Sequence, residues 1–185
     1  MKKSVFLLLL LAVTLSIHAQ KGIGFGLKGG VNFANQAIDE IDVKSVADFH
    51  FGAYLNLNLS DDFGIMPEVL FSAHGTKWEE LKVDYDYIAI PVMVRFMPVE
   101  YLSFEAGPQF SFLIKAEVEE IGDIKDQLKS NDFGLAFGAG LNLPVGLRVG
   151  ARYVLGFTNI SDVSEESIKN RTFQFYVGWT LFGAK

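Results

Sequence analysis

The sequence predicts an all-β fold: an eight-stranded antiparallel up-and-down transmembrane β-barrel with short periplasmic turns and four longer extracellular loops. Three observations predict it. Eight segments alternate apolar and polar residues with the period of two that a strand with unlike faces requires. Half of all residues are hydrophobic and mean hydropathy is +0.26, yet after the N-terminal leader no apolar run reaches the roughly 18 to 20 residues of a spanning helix. Short turns alternate along the chain with longer polar loops, the asymmetry expected of outer-membrane barrels.

The leader comes first. Lys2 and Lys3 precede an apolar run from Val5 to Ile17, and Ile17-His18-Ala19 offers a small-residue cleavage site, so residues 1–19 read as a secretory signal peptide and 20–185 as the barrel domain. Of 16 basic residues, Lys2 and Lys3 leave with the leader, so 14 face 22 acidic ones. That balance speaks against nucleic acid as a partner. The chain has no cysteine, which excludes both a disulfide framework and a lipid-modified N-terminal cysteine.

The alternation then places each strand. The first, residues 22–33, sets Ile23, Phe25, Leu27, Val31 and Phe33 against Gly24, Gly26, Lys28, Gly30 and Asn32. After a loop at 34–48, the second (49–59) sets Phe49, Phe51 and Leu55 against His50, Tyr54 and Asn56. Ser60 to Asp62 turn the chain into the third (63–74), where Pro67 needs a bulge because it cannot donate to a ladder. A charged loop at 75–86 leads to the fourth (87–96), a turn at 98–100 and the fifth (102–114). The longest loop, 116–131, carries Val118, Ile121, Ile124 and Leu128 at the spacing of a short amphipathic helix. The sixth and seventh strands form the plainest hairpin, 132–157, folded about Pro144, Val145 and Gly146. A loop at 159–170 precedes the eighth, with Phe173, Phe175, Val177, Trp179 and Leu181 on its apolar face. The three turns, each of three residues, pair like face with like face, and both termini then lie in the periplasm.

Side-chain chemistry decides which face meets lipid. The apolar face of the eight strands carries no charged residue, where a Lys or Arg at the bilayer midplane would cost about 2–4 kcal/mol. So many Phe and Leu side chains would also overfill an interior only just wide enough for side chains. Phe33, Phe49, Phe133 and Phe173 toward the loops, and Phe63, Phe96, Phe104 and Trp179 toward the turns, suit two interfacial girdles. Outer-membrane lipid is therefore the expected partner of this face, and a monomer the expected state.

Four segments resemble recurrent strand motifs of the PorT-like outer-membrane β-barrels: GFGLKGGVNFAN (24–35), YIAIPVMVRF (87–96), EAGPQFSFL (105–113) and ARYVLGFTNI (151–160). The resemblance spans nearly all of the mature chain. It implies recognition by the barrel-insertion machinery and a link to protein secretion across the outer membrane. The chain departs from that pattern twice. Ala89 stands where the family usually carries an acidic residue, and Phe182 falls on the inward parity while Leu181 holds the outward place, which points to Trp179 or Leu181 as the insertion signal.

Lys28, Glu68, Arg95, Glu105, Arg148 and Arg152 all fall on the interior face. With the turn at 98–100, Glu105 faces Met93 and sits diagonal to Arg95. A set of mutually satisfied ion pairs is the expected role, against the alternative of a narrow channel, because eight strands leave no aqueous lumen. Ser72 and His74 share the inward face with His50 opposite Ser72, which raises a lipid-modifying enzyme as an alternative; no orienting group or oxyanion stabiliser is apparent. Gly24, Gly26 and Gly29 spell G-x-G-x-x-G, but no helix follows to bind a dinucleotide. No metal or cofactor is expected: His50 and His74 lack a ligand-spaced carboxylate cluster, and Glu117, Glu119, Glu120, Asp123, Asp126 and Asp132 read as a solvated loop. The expected function is a structural or interaction protein, not an enzyme, with the loops as contact surface toward envelope or secreted proteins and as an accessory to secretion.

Overall fold

In the computed structural model every long strand pairs antiparallel with its neighbours in the chain, and the last pairs with the first. The structure describes residues 22–37, 44–78, 81–118, 122–123, 129–158 and 169–183. The strands are β1 (Ile23–Ala37), β2 (Lys44–Asn58), β3 (Phe63–Trp78), β4 (Leu81–Val99), β5 (Leu102–Val118), β6 (Gly122–Asp123), β7 (Asn131–Asn142), β8 (Leu147–Gly156) and β9 (Lys169–Gly183). Two-residue β6 pairs only with the end of β5, so the closed wall has eight strands, joined β4 to β5 and β1 to β9. The leader lies outside the described residues.

The period-two reading places the faces correctly. Even-numbered side chains of β9 from Thr172 to Thr180 are buried, while Phe173, Phe175, Val177 and Trp179 are exposed. All eight girdle aromatics are exposed on the outer face, and several touch across strands, as in Phe63–Phe96 and Phe110–Phe133, each with ring centroids 5.0 Å apart. The turns at 60–62 and 144–146 have the anticipated length: Leu59 N donates to Phe63 O (2.9 Å) and Leu143 N to Leu147 O (2.7 Å).

Four expectations need correction. The turn after β4 is Glu100–Tyr101, because Val99 pairs with Leu102; a bulge between Phe96 and Val99 restores the parity that an even turn would break. Glu105 therefore stands opposite Arg95, not Met93. Pro67 sits in β3 without a register shift, since the pairs on either side of it, Leu57 with Ile65 and Tyr54 with Glu68, keep one register. At the closure a bulge makes Phe25 pair with Phe182 and Gly26 with Thr180, leaving Leu181 as the extra residue. Phe182 thereby returns to the outer face, 49% exposed.

The fourth correction concerns the loops at 34–48 and 75–86, much of which is strand. β3 and β4 run on until only residues 79–80 join them. Above the lipid-facing band the pattern changes sign: Tyr85, Tyr87, Leu113 and Ala116 turn inward as a buried apolar cluster with Val118 against it, while Lys115 and Glu117 face out, 2.9 Å apart. Water now lies outside the wall, so apolar residues gain by facing in. In β4 the odd-numbered positions stay inward from Arg95 to Tyr85, so residue type alone is exchanged there; in β5 a bulge at Ile114, where Tyr87 pairs with Leu113 but Asp86 with Lys115, leaves Lys115 outside and brings Ala116 in. Of the helix anticipated within 116–131, Val118 is in β5, and Ile121, Ile124 and Leu128 lie outside the described residues.

Candidate functional site: the charged barrel interior

The barrel interior is the one place where alternation forces ionisable side chains from many strands toward a single axis. Glycines make the room. Tyr54 lies over Gly26 and Gly178; Tyr176 lies over Gly140 and Gly150, where an added Cβ would meet the Tyr176 hydroxyl at 3.0 and 2.5 Å. That is the service of the G-x-G-x-x-G run: Gly26 seats a ring in a strand, and no helix follows it.

Around Tyr176 the charges assemble. Arg152 from β8 forks onto Glu68 of β3, Nη1 donating to Oε2 at 3.0 Å and Nη2 to Oε1 at 2.7 Å. The same guanidinium reaches Glu105 of β5, with Nε and Nη2 at 3.0 and 2.8 Å from Oε1. Lys28 of β1 donates to both Glu68 oxygens at 3.2 and 3.1 Å, and its ammonium sits 3.8 Å from the Tyr176 ring centroid. The Tyr176 hydroxyl donates to Glu105 Oε1 at 3.1 Å. The side chains of Lys28, Glu68, Glu105 and Arg152 are at most 1% exposed. Every charge here has an opposite charge in contact, as burial of ions in a low-dielectric interior demands. Glu105 Oε2 is the one buried carboxylate oxygen of the cluster without a partner among the described residues.

Arg95 and Arg148 stand apart toward the turn end. Arg95 donates to Asn56 Oδ1 (2.9 Å) and Asn142 Oδ1 (3.4 Å), and Arg148 Nε donates to the same Asn142 oxygen at 3.0 Å. Each also meets a thioether, Arg95 that of Met97 at 3.3 Å and Arg148 that of Met66 at 3.1 Å. The six charged residues singled out from the sequence all lie inside, but they divide into an ion-paired group of four and these two arginines. Tyr176, Asn142 and Tyr54 complete the arrangement and were not singled out; their inward parity was the signal available.

Toward the loop end lies a polar chain. Ser72 Oγ and His74 Nε2 are 3.0 Å apart, Asn32 Nδ2 donates to Ser72 Oγ at 2.9 Å, and His50 Nδ1 meets Asn32 Oδ1 at 2.8 Å. His50 does stand opposite Ser72. A hydrolytic serine needs an oriented base and an oxyanion pocket open to substrate. Here His74 Nδ1 has no partner among the described residues, and Ser72 is 2% exposed within the barrel. Nearby, Asn170 Nδ2 donates to Asp132 Oδ2 at 2.9 Å. Among the described residues no three His, Cys, Asp or Glu side chains gather to hold a metal. On the wall above, the Glu117 hydrogen bond raises the Lys115 ammonium above its ordinary pKa, and burial raises the Asp86 carboxyl.

A closed antiparallel barrel with an apolar, aromatic-banded exterior and an ion-paired interior defines a transmembrane β-barrel. The chain belongs to the outer membrane protein β-barrel domain family, which matches residues 18–162. Among solved structures, neisserial surface protein A (NspA) superimposes with a TM-score of 0.61 at 14% identity, covering 87% of this chain and 100% of that one. The attachment invasion locus protein Ail of Yersinia pestis gives 0.52 at 17% identity (86% and 99% covered). OprG from Pseudomonas aeruginosa gives 0.53 at 12% identity (89% and 98% covered). No curated protein matches the chain.

Proposed function

We propose that this outer-membrane barrel is a monomeric structural or interaction protein whose loop-end wall is its contact surface. The observation that carries the reading is the sealed interior: Lys28, Glu68 and Arg152 meet across the barrel with side chains 0–1% exposed, where a channel would keep them in water. The contact surface is drawn from the wall of β3, β4 and β5 above the aromatic band, with Lys115 and Glu117 outward. Residues 1–19 act as signal peptide, residues 20–185 form the barrel, and both termini face the periplasm, so the tall wall faces the cell exterior. The four strand motifs support a likeness to the PorT-like barrels and make an accessory role in secretion the first task to examine. Insertion by the barrel-assembly machinery, and contact with envelope or secreted proteins through the loops, belong to the same reading.

Two experiments test it. Folded protein in planar bilayers should hold the current at baseline; a stable unitary conductance would overturn the sealed-interior reading. A photo-crosslinking residue at Lys115 should capture a defined envelope or secreted protein in cells, whereas the same residue at lipid-facing Phe137 should not. Equal yields at both positions would remove the wall as the contact surface. The enzyme alternative keeps one observation, the Ser72–His74 hydrogen bond. An unchanged lipid A acylation profile in His74→Ala removes it.

A further inference from the structure

Arg171 points outward from β9 at the loop end of the lipid-facing band, exposed and with no ion pair among the described residues. Its neighbour across the β8 ladder is Leu155, which cancels no charge. One row nearer the membrane centre, the rings of Phe137, Tyr153 and Phe173 follow one another across three strands with centroids 5.7 and 6.5 Å apart. Below that row the outer wall sinks. Ala139 pairs with Ala151, and Ala151 with Phe175; the two alanines floor a hollow of about 650 Å³, with Val31, Val149, Phe175 and Val177 around it. A cation, a belt of aromatic rings and an apolar hollow thus succeed one another in the order of a lipid's own parts: phosphate, ester region, acyl chain. Arg171 to Val177 covers about 20 Å of strand, which at a tilt of about 40° descends about 15 Å, half of the hydrocarbon core. The raised quarter of the rim offers no such place. Lys115 is already paired with Glu117 there, and Asp84 and Asp86 stand beside them on the β4–β5 ladder, so an anion meets like charge.

We propose that the outer wall of β7, β8 and β9 seats one lipid with an anionic phosphate headgroup, its phosphate on Arg171 and its acyl chain in the hollow floored by Ala139 and Ala151. The planar guanidinium offers paired N–H groups that match two phosphate oxygens. Tyr153, one strand away, carries its hydroxyl into the interfacial row, where an aromatic ring with a polar tip is at home. The site rests on the membrane-spanning fold and stands whatever task the loops perform; on the orientation proposed above, the lipid belongs to the outer leaflet.

The test is native mass spectrometry of the full-length mature barrel released from detergent micelles. The protein is first incubated with equal amounts of dimyristoyl phosphatidic acid and dimyristoyl phosphatidylcholine, which share their chains but differ in net headgroup charge. The wild type should retain one phosphatidic acid in about fivefold excess over phosphatidylcholine, the preference that one cation at a membrane surface supplies. Arg171→Gln should bring the two lipids to parity, while Lys129→Gln, at another exposed cation of the loop end, should leave the preference intact. Ala151→Phe, which fills the hollow, should lower retention of phosphatidic acid severalfold; should that variant not fold, the Arg171→Gln comparison decides alone. Equal retention of the two lipids by the wild type, or a preference that survives Arg171→Gln, would overturn the site. Undiminished retention by folded Ala151→Phe would overturn the hollow as the seat of the chain.

Discussion

Arg95 and Glu105 stand directly opposite each other across the β4–β5 ladder, yet Glu105 takes its ion pair from Arg152, three strands away from β4, at 2.8 Å. Proximity along the sheet does not decide the pairing. The barrel axis does, because Arg152 reaches Glu105 and Glu68 at once and neutralises two carboxylates with one planar group. Cross-strand neighbours compete there with partners from the far wall.

Arg152 is accordingly the residue on which the interior depends. Arg152→Met leaves Glu68 with Lys28 alone and Glu105 with only the Tyr176 hydroxyl, and should lower stability by about 3–5 kcal/mol, as breaking a buried pair does. Urea unfolding in lipid vesicles measures this. Lys115→Ala, which breaks a pair half open to water, should leave the midpoint where it is. A small loss in Arg152→Met would show that the carboxylates find other partners.

The glycine seats predict opposite outcomes on opposite faces. Gly150→Val would push its side chain onto the Tyr176 ring and the Ala139 carbonyl, 2.5–2.7 Å from its Cβ, and should cost at least the ~1–3 kcal/mol of an overpacked core. Gly29→Ala points outward, with nothing nearer than 3.7 Å, and should be neutral or slightly stabilising. The heat-dependent shift of the folded band on electrophoresis reports both.

The closing bulge predicts which C-terminal residue guides insertion. Phe182→Ala should slow appearance of the heat-modifiable folded form in cells, and Leu181→Ala should not, because Phe182 holds the outer face and Leu181 is the extra residue of the bulge. A simple count along β9 predicts the reverse. Pulse-labelling of the folded and unfolded bands separates the two.

Among the described residues Val145 is the non-glycine residue with positive φ, at 60°, in the turn between β7 and β8. A β-branched side chain is strained there, and Val145 is 67% exposed. Val145→Gly should therefore raise stability by roughly 1 kcal/mol. The Trp179 indole N–H, which donates to the Val145 carbonyl at 3.1 Å, would keep its acceptor. Thermal or urea unfolding of the two proteins decides it.

Much of this architecture is legible in the sequence because one rule, apolar toward lipid at every second position, governs most of each strand. The rule also found six interior charges but not Asp132, which reads as part of a solvated loop and is buried at the loop end of the barrel, bonded to Asn170. It failed where its physical basis changed. Above the band, Tyr85 and Tyr87 turn inward because water replaces lipid outside, so Asp84 and Asp86 looked like loop residues instead of the outer face of a strand. It failed again at bulges, which are single extra residues with no mark in composition; those near Met97–Pro98 and at Leu181 each reverse the parity beyond them. The ion-pair partners were beyond reach for a third reason. Glu68, Arg152 and Lys28 meet across the barrel, and no ladder register relates β1, β3 and β8 directly.

The long strands do not end level. β3, β4 and β5 run 16, 19 and 17 residues, while β7 and β8 run 12 and 10. A tube with an even rim would look alike from every side to its neighbours in the bilayer; this one has a compass bearing. Its rotation about the membrane normal becomes something a neighbour can sense. Proteins that meet its raised quarter encounter a charged β-wall, and those that meet the opposite quarter find strands that end sooner.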